Sequence, residues 1–241
     1  MHIVTGFDDD LKYLSGRIAA MGGLAERMVA ESVSALVHAD ETLARKVIDD
    51  DRLLDEAERD VDEKAIGIIA RRQPLAADLR EIIGTIRISA DLERVGDLAK
   101  NNAKRVVAIT AGQRPAGVVR GMEALAELAL GQLKDVLDVY ATRAVATLAF
   151  VRDRDVQIDA VYTSLFRELL ASMMEDARNI TPCTHLLFCA KNLERIGDHA
   201  TNIAETIYYV ATAEQLPERS RQDDSHKVTL PASATARPGE R

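Results

Sequence analysis

The sequence predicts an all-α fold: two tandem three-helix bundles with six long helices, followed by a disordered C-terminal tail. Three observations lead to this prediction. Aliphatic and charged residues dominate, with four Phe, five Tyr and no Trp in 241 residues, which favours helices packed through aliphatic faces over a β-sandwich. Apolar residues recur at helical spacing along most of the chain. A block near residue 90 recurs near residue 191, which indicates an internal repeat.

The first half contains three helical patterns. Helix one is expected from 8 to 38, and the run Asp8-Asp9-Asp10 suits its start, because acidic side chains complement the helix dipole there. Helix two is expected from 41 to 72 and turns near Pro74 into helix three, from 76 to 109. Helices of this length would run on the order of 45 Å at about 1.5 Å per residue, so we expect elongated bundles.

The second half repeats this organisation after a break in composition at residues 111 to 115. Its helices are expected at 116 to 140, 143 to 175 and 180 to 212, and the segment after Pro217 is polar enough to be disordered. The predicted units are therefore a first repeat (1–112), a second repeat (113–216) and a disordered tail (217–241).

The internal repeat is clearest between residues 90–103 and 191–204. Eight of these fourteen aligned positions are identical, including a Leu-Glu-Arg-aliphatic-Gly-Asp block. Scattered identities between two Ala/Leu-rich helices would not match a block of this kind together with its flanks. The chain is therefore predicted to be an internal duplication.

Acidic residues form matched rows in the two repeats. In each third helix, a Glu-x-x-x-Asp pair lies on roughly the opposite side from the apolar stripe, so it is not expected in the core. In each second helix, an Asp-x-x-x-Asp pair repeats in the same way. We call Asp51, Asp55, Glu93 and Asp97 the first acidic cluster, and Asp155, Asp159, Glu194 and Asp198 the second acidic cluster.

The hairpin register predicts that the members of each cluster lie level. If helices two and three turn near Pro74, Asp55 is level with Glu93 and Asp51 with Asp97. A turn between residues 176 and 177 places the second cluster in the same register. Two carboxylates about 6 Å apart repel by roughly 0.7 kcal/mol in water and more near protein, and a bound cation would relieve this repulsion.

The ligand chemistry of these clusters favours hard cations. Carboxylate oxygens suit Mg²⁺, Mn²⁺, Ca²⁺ or iron, and the repeats carry no matched histidines for a histidine-rich zinc or copper site. An ordinary solvated acidic face, neutralised by Arg94, Arg195 or Lys104, is the alternative reading. His199 is expected to serve packing or the surface, because it points about 100° away from Asp198.

Composition also limits the class of partner. The net charge of −8 argues against nonspecific binding to nucleic acid or anionic lipid. Cys183 and Cys189 lie six residues apart on a predicted helix, so a local disulfide is implausible. No signal peptide and no stretch of about 18 apolar residues is found. A cytoplasmic protein without direct membrane insertion is therefore expected.

The ERVGD and ERIGD blocks and the segment FDDDLKYLSGRIAAMGGLAERM at residues 7–28 resemble the PhoU family. The resemblance runs from about His2 to Ala213. It implies a two-repeat, six-helix protein whose acidic motifs bind metal ions or clusters, with Mg, Mn, Fe or Zn open as the metal. By that resemblance the best ligand candidates are Glu93, Asp97, Glu194 and Asp198, followed by Asp51, Asp55, Asp155 and Asp159. Lys100 and Asn102 depart from the family pattern, which weakens the first site.

The resemblance further implies a negative regulator of phosphate uptake and phosphate-starvation signalling. Its implied partners are the ATPase of the phosphate ABC transporter, a sensor histidine kinase and a second copy of the chain. No catalytic site is indicated, because the sequence shows no phosphate-cradling Gly-rich loop and no nucleophile with its base. Two alternatives stay open: a carboxylate-bridged metalloenzyme, with its acids inside a bundle, and a metal-free helical scaffold.

Overall fold

Six α-helices account for almost all of the chain that is described, residues 2–109 and 116–216 of a computed structural model. Their bounds agree with the sequence prediction to within two residues except at the starts of α1 and α5, and no strand occurs within the described residues. Helix α1 begins at His2 rather than at residue 8, so the run Asp8-Asp9-Asp10 lies inside the helix and does not form its first turn. The helices are α1 (His2–His38), α2 (Glu41–Arg72), α3 (Ala76–Ala108), α4 (Ala116–Thr142), α5 (Phe150–Glu175) and α6 (Ile180–Thr212).

The helices form the two predicted three-helix bundles. The helices α1, α2 and α3 all contact one another, and so do α4, α5 and α6. Aliphatic side chains fill both interiors, among them Leu54, Leu92 and Leu193, which are 0% exposed. The helices are long because their apolar stripes continue over many turns, and burial of these stripes provides most of their stability.

The bundles meet along two helix pairs, α3 with α6 and α1 with α4. The helices α3 and α6 run antiparallel: Gly84 lies against Val210 near one end of the contact, and Asn102 bonds Asn192 towards the other. Residues that correspond in the two repeats therefore lie on opposite sides of a pseudo-twofold axis. This axis crosses the contact near Gly96 and Gly197.

Those two glycines allow the middle helix of each bundle to approach the third. A Cβ atom at Gly96 would lie 2.8 Å from a methyl group of Leu54, and one at Gly197 would lie 2.8 Å from a methyl group of Ile158. Both distances are below van der Waals contact, so a side chain there would force the neighbour to move. The glycine of each ERxGD motif therefore serves close packing, in the same way in both repeats.

Helix ends are set by short polar signals. Asp40 caps α2 by accepting a hydrogen bond from the Leu43 amide at 2.9 Å. Gln73 ends this helix in the left-handed conformation, with φ of 49°. The predicted start of helix five at 143 was wrong: Arg143 has φ of 59° and ends α4, and a 3₁₀ segment, Val145–Ala149, precedes α5.

Several other predictions concern the ends of the chain and its compartment. The boundary between 112 and 113 and the predicted tail at 217–241 lie outside the described residues. Cys183 and Cys189 are buried free thiols, as expected from their spacing. Within the described residues, no helix is long and apolar enough to cross a membrane.

Candidate functional site

Each acidic cluster lies between the second and third helices of its bundle. The first joins α2 to α3, and the second joins α5 to α6. The sequence predicted that all eight carboxylates lie at the surface. Asp51 departs from this prediction, because it is buried with 7% of its surface exposed. Asp159 and Asp198 are exposed, and the remaining five are half-buried.

A lysine lies inside the first acidic cluster. The Nζ atom of Lys100 lies 2.6 Å from Asp51 Oδ2 and 2.5 Å from Asp97 Oδ1. It thus bridges α2 and α3 at the level where the hairpin register pairs these two aspartates. Arg94 adds a weaker ion pair, with Nη1 3.3 Å from Asp97 Oδ2. A side chain of the protein therefore supplies the positive charge between the two rows.

The pKa values of these carboxyls reflect a balance of burial and pairing. Burial raises the pKa of Asp51 and prevails over its hydrogen bond from Lys100. Asp97 is less buried, and Lys100 holds its pKa below the usual value although burial acts the other way. Burial, helped by the charge of Asp97, raises the pKa of Glu93 to about 7. Lys100 makes no ion pair with Glu93, whose nearest cation among the described residues is Arg94, with Nε 3.5 Å from Glu93 Oε2.

The second acidic cluster contains no equivalent lysine. The position that corresponds to Lys100 is Thr201, whose hydroxyl lies 3.4 Å from Asp155 Oδ1. That hydroxyl accepts a hydrogen bond of 2.8 Å from the buried Gln132 amide. Lys191 approaches from one side and bonds Glu194 Oε1 at 2.5 Å. It makes no ion pair with the three aspartates of the cluster among the residues that the structure describes.

The pKa values of two members of the second cluster, Glu194 and Asp198, lie above the usual values. Burial raises the pKa of Glu194, although the hydrogen bond from Lys191 opposes this shift. Burial also raises the pKa of Asp198, and the nearby charges of Asp155 and Asp159 add to it. The other oxygen of Glu194, Oε2, is buried without a hydrogen-bond partner. A buried carboxylate oxygen without a partner is costly, and a cation is one way to satisfy it.

The two clusters therefore fit a metal ion unequally. Lys100 already lies between the carboxylates of the first cluster, so the residues there do not fit a metal. The second cluster offers hard oxygen ligands and the orphaned Glu194 Oε2. Across residues 2–109 and 116–216, no three His, Cys, Asp or Glu side chains are arranged as a group able to hold a metal. Binding at the second cluster would thus require side-chain rotation.

Sequence reasoning identified the acidic rows but not the groups that neutralise them. Arg94 was expected to do so and does, whereas the main partner in the first cluster, Lys100, was recognised only as a departure from the family pattern. The position of Lys100 could have predicted this ion pair, because a lysine three residues after Asp97 lies on the same helix face. His199 lies outside the second cluster: its Nδ1 is 2.9 Å from Asp91 Oδ1, so it joins α6 to α3.

Comparison with protein families gives two matches, one in each repeat. The family model described as "PhoU domain" matches residues 18–106 and 122–207. Each matched segment contains one complete acidic cluster.

Close relatives match over nearly the whole chain. A "Phosphate-specific transport system accessory protein PhoU homolog" from Rhizobium meliloti is 66% identical over 229 residues, covering 95% of this chain and 96% of the relative. A protein with the same description from Caulobacter vibrioides is 45% identical over 215 residues, covering 89% and 94% of the two chains.

Two solved structures share the fold. The crystal structure of PhoU from Pseudomonas aeruginosa superposes with a TM-score of 0.83 at 36% identity, covering 86% of this chain and all of the other. The phosphate transport system regulatory protein PhoU from Streptococcus pneumoniae gives a TM-score of 0.81 at 26% identity, with 88% and 100% covered.

Proposed function

The chain belongs to the PhoU family, and from this membership we propose that it is a cytoplasmic negative regulator of phosphate uptake and phosphate-starvation signalling. In this proposal it contacts the ATPase subunit of a phosphate ABC transporter and a sensor histidine kinase, and it forms a homodimer. The observation that carries the proposal is the match to phosphate transport accessory proteins across both repeats. The protein acts by contact rather than by catalysis, and its long helices supply the docking surfaces.

We further propose that metal binding at the second acidic cluster supports this role. Asp155 and Asp159 on α5 and Glu194 and Asp198 on α6 would hold a hard cation such as Mg²⁺, Mn²⁺ or iron. The cation would neutralise the repulsion among these carboxylates and tie the two helices together. The partnerless Glu194 oxygen supports this assignment, and the structure gives the first cluster no comparable support.

The metal proposal is tested by thermal unfolding with added Mn²⁺, Mg²⁺ or Fe²⁺. We expect the cation to raise the Tm of the wild type and to have little effect on the Glu194→Gln/Asp198→Asn double variant. A matched control is Glu123→Gln/Glu127→Gln, which removes two exposed carboxylates at the same spacing on α4. An unchanged Tm of the wild type, or an equal loss of the metal effect in the control, would overturn the proposal.

The regulatory proposal is tested separately in cells. Deletion of the gene should cause phosphate accumulation and expression of starvation genes in phosphate-rich medium, and the wild-type gene should restore control. A pull-down from phosphate-rich cells should recover the transporter ATPase and the sensor kinase. Normal phosphate control in the deletion strain would refute the regulator role, whatever the metal measurements give.

A metal-free scaffold is the second candidate, and Lys100 favours it. This residue shows that the chain can neutralise an acidic cluster with its own ammonium group. The scaffold would show no metal-dependent Tm but would still restore phosphate control. A carboxylate-bridged enzyme has less support, because its ligands would lie inside the bundle, whereas Asp159 and Asp198 are exposed.

A further inference from the structure

A further polar site lies between the bundles, and none of its lining residues belongs to an acidic cluster. It is a cleft of about 320 Å³ between the C-terminal part of α3 and the N-terminal part of α6. Its lining consists of Asn101, Lys104, Arg105, Ala108, His185 and Asn192. Among the described residues that line the cleft there is no carboxylate, although the chain as a whole carries a net charge of −8. The local charge of this cleft is thus opposite to that of the molecule.

Two cationic side chains, Lys104 and Arg105, line the cleft. Neither Lys104 nor Arg105 forms an ion pair within the described residues. The guanidinium of Arg105 lies over the Phe188 ring, 4.1 Å from its centroid. Its Nη1 lies 3.4 Å from His185 Nδ1, which leaves most of its five N–H donors available. The aromatic ring and the imidazole therefore hold the guanidinium in position and leave most of its donors available.

The neighbouring amides extend this set of donors. Asn192 donates from Nδ2 to Asn102 Oδ1 at 2.9 Å, which orients its side chain at the α3–α6 contact. Asn101 is exposed at the mouth of the cleft. A planar arginine fork, an ammonium group, an imidazole and carboxamides together suit an oxyanion with several acceptor oxygens.

Duplication alone does not explain this basic lining. The positions that correspond to Lys104, Arg105 and Asn192 in the other repeat are Glu205, Thr206 and Asp91. At that site His199 and Asn202 both contact Asp91, at 2.9 and 3.4 Å, so its charged groups are partly paired. The position that corresponds to His185 is Gly84, where Val210 packs closely. The basic lining is therefore a feature of one side of the pseudo-twofold axis only.

We propose that this cleft binds a phosphate-type oxyanion, either free orthophosphate or the phosphate groups of a small nucleotide. Arg105 provides the bidentate contact, Lys104 provides a mobile charge at the mouth, and His185 and Asn192 provide donors from α6. A ligand held by both helices would bridge the two repeats. The inference depends neither on metal binding nor on the regulatory proposal.

The test is a calorimetric titration of the full chain in metal-free buffer with orthophosphate, pyrophosphate or ATP. We expect saturable binding of at least one of these, weakened about tenfold or more in Arg105→Gln because a charge-assisted hydrogen bond is lost. Lys104→Gln should weaken binding less. The control Arg87→Gln removes an exposed arginine from the same helix, outside the cleft, and should bind like the wild type.

Nuclear magnetic resonance locates the ligand and separates its sources. The imidazole nitrogens of His185 and the carboxamide of Asn192 should shift on titration, and those of His199 and Asn202 should not. Saturation by orthophosphate would identify free phosphate as a ligand, and saturation by ATP alone would identify a nucleotide. No binding of any of the three up to about 10 mM, well beyond a useful affinity, would overturn the inference. Equal weakening in Arg105→Gln and Arg87→Gln would also overturn it.

Discussion

The two acidic clusters descend from one duplicated unit and now differ by a single residue at their centre. In the first, Lys100 reaches across to Asp51 and Asp97. In the second, Thr201 occupies the corresponding position and Glu194 keeps a buried oxygen without a partner. Carboxylates at the same spacing can thus have a lysine between the two rows or a threonine in its place. The acidic motif alone does not distinguish these outcomes.

Exchange of Thr201, the central residue of the second acidic cluster, should produce the largest change in metal-dependent stability. We expect Thr201→Lys to abolish the metal-dependent rise in Tm, because the ammonium group would lie among the ligands. A ligand at about a hundred times its Kd stabilises by about 2.7 kcal/mol, which corresponds to roughly 5–10 °C for a chain of this size. Thermal unfolding with and without the cation measures this loss.

The reciprocal variant, Lys100→Thr, is the matched partner of that experiment. It should open the first cluster and raise the metal content of the protein, as measured by elemental analysis after dialysis. If Thr201→Lys keeps the full metal effect and Lys100→Thr gains no metal, the central residue does not control binding.

Removal of Lys100 should cost more stability than removal of Thr201. Lys100→Ala leaves Asp51 buried without its cation, and we expect a loss of about 2 kcal/mol in the free energy of unfolding near pH 7. This is less than the 3–5 kcal/mol of a fully buried pair, because the Lys100 and Asp97 side chains remain 20% and 28% exposed. Thr201→Ala removes a hydroxyl that accepts a hydrogen bond from Gln132 and makes a long one, 3.4 Å, to the Asp155 carboxylate, and should cost about 1 kcal/mol.

Urea unfolding of both variants in metal-free buffer measures this difference. Equal losses would show that the Lys100 bridge contributes no more than the hydroxyl contacts of Thr201. A loss in Lys100→Ala that disappears in the Lys100→Ala/Asp51→Asn double variant would confirm that the uncompensated carboxylate is the cause.

The last expected difference is in the pH dependence of stability, to which Glu93 contributes. Its pKa is raised from 4.5 to about 7, so the folded state retains this proton longer than the unfolded state. The corresponding stability is present below about pH 4.5 and is lost as the pH rises through about 7. Glu93→Gln should therefore be more stable than the wild type at pH 8, by about 1–3 kcal/mol, but not at pH 4.

Unfolding in urea at both pH values, with a chelator present, measures this effect. The counterpart Glu194→Gln should gain less at pH 8, because the hydrogen bond from Lys191 favours the ionised carboxylate. A Glu93→Gln variant whose stability relative to the wild type is the same at both pH values would contradict the assignment.

The fold followed from the sequence because its signals are local. The bounds of α2 depend on Asp40 and on the turn at Pro74, both of which are visible in the sequence. The segment before α5 was misassigned because the left-handed Arg143 has no sequence signature as strong as glycine. The antiparallel α3–α6 contact was not predicted, since it depends on how two completed bundles dock.

The acidic clusters were only partly predictable for the same reason. Helical periodicity and hairpin register correctly predicted that Asp51 lies near Asp97, because Lys100 contacts both residues. The burial of Asp51 and the reach of Lys100 depend on the distance between the α2 and α3 axes, which Gly96 sets through Leu54. The basic cleft escaped prediction entirely, because its residues come from helices of different repeats.

The antiparallel contact of α3 with α6 has a consequence for how this molecule can be recognised. In a perfectly symmetric duplication, Lys104 and its counterpart Glu205 would be the same residue, and a partner could dock in two equivalent orientations. These positions lie about 22 Å apart along the contact at about 1.5 Å per residue, and they now carry opposite charges. The two ends of the α3–α6 contact therefore differ in charge, and a partner that spans both ends can bind in only one orientation.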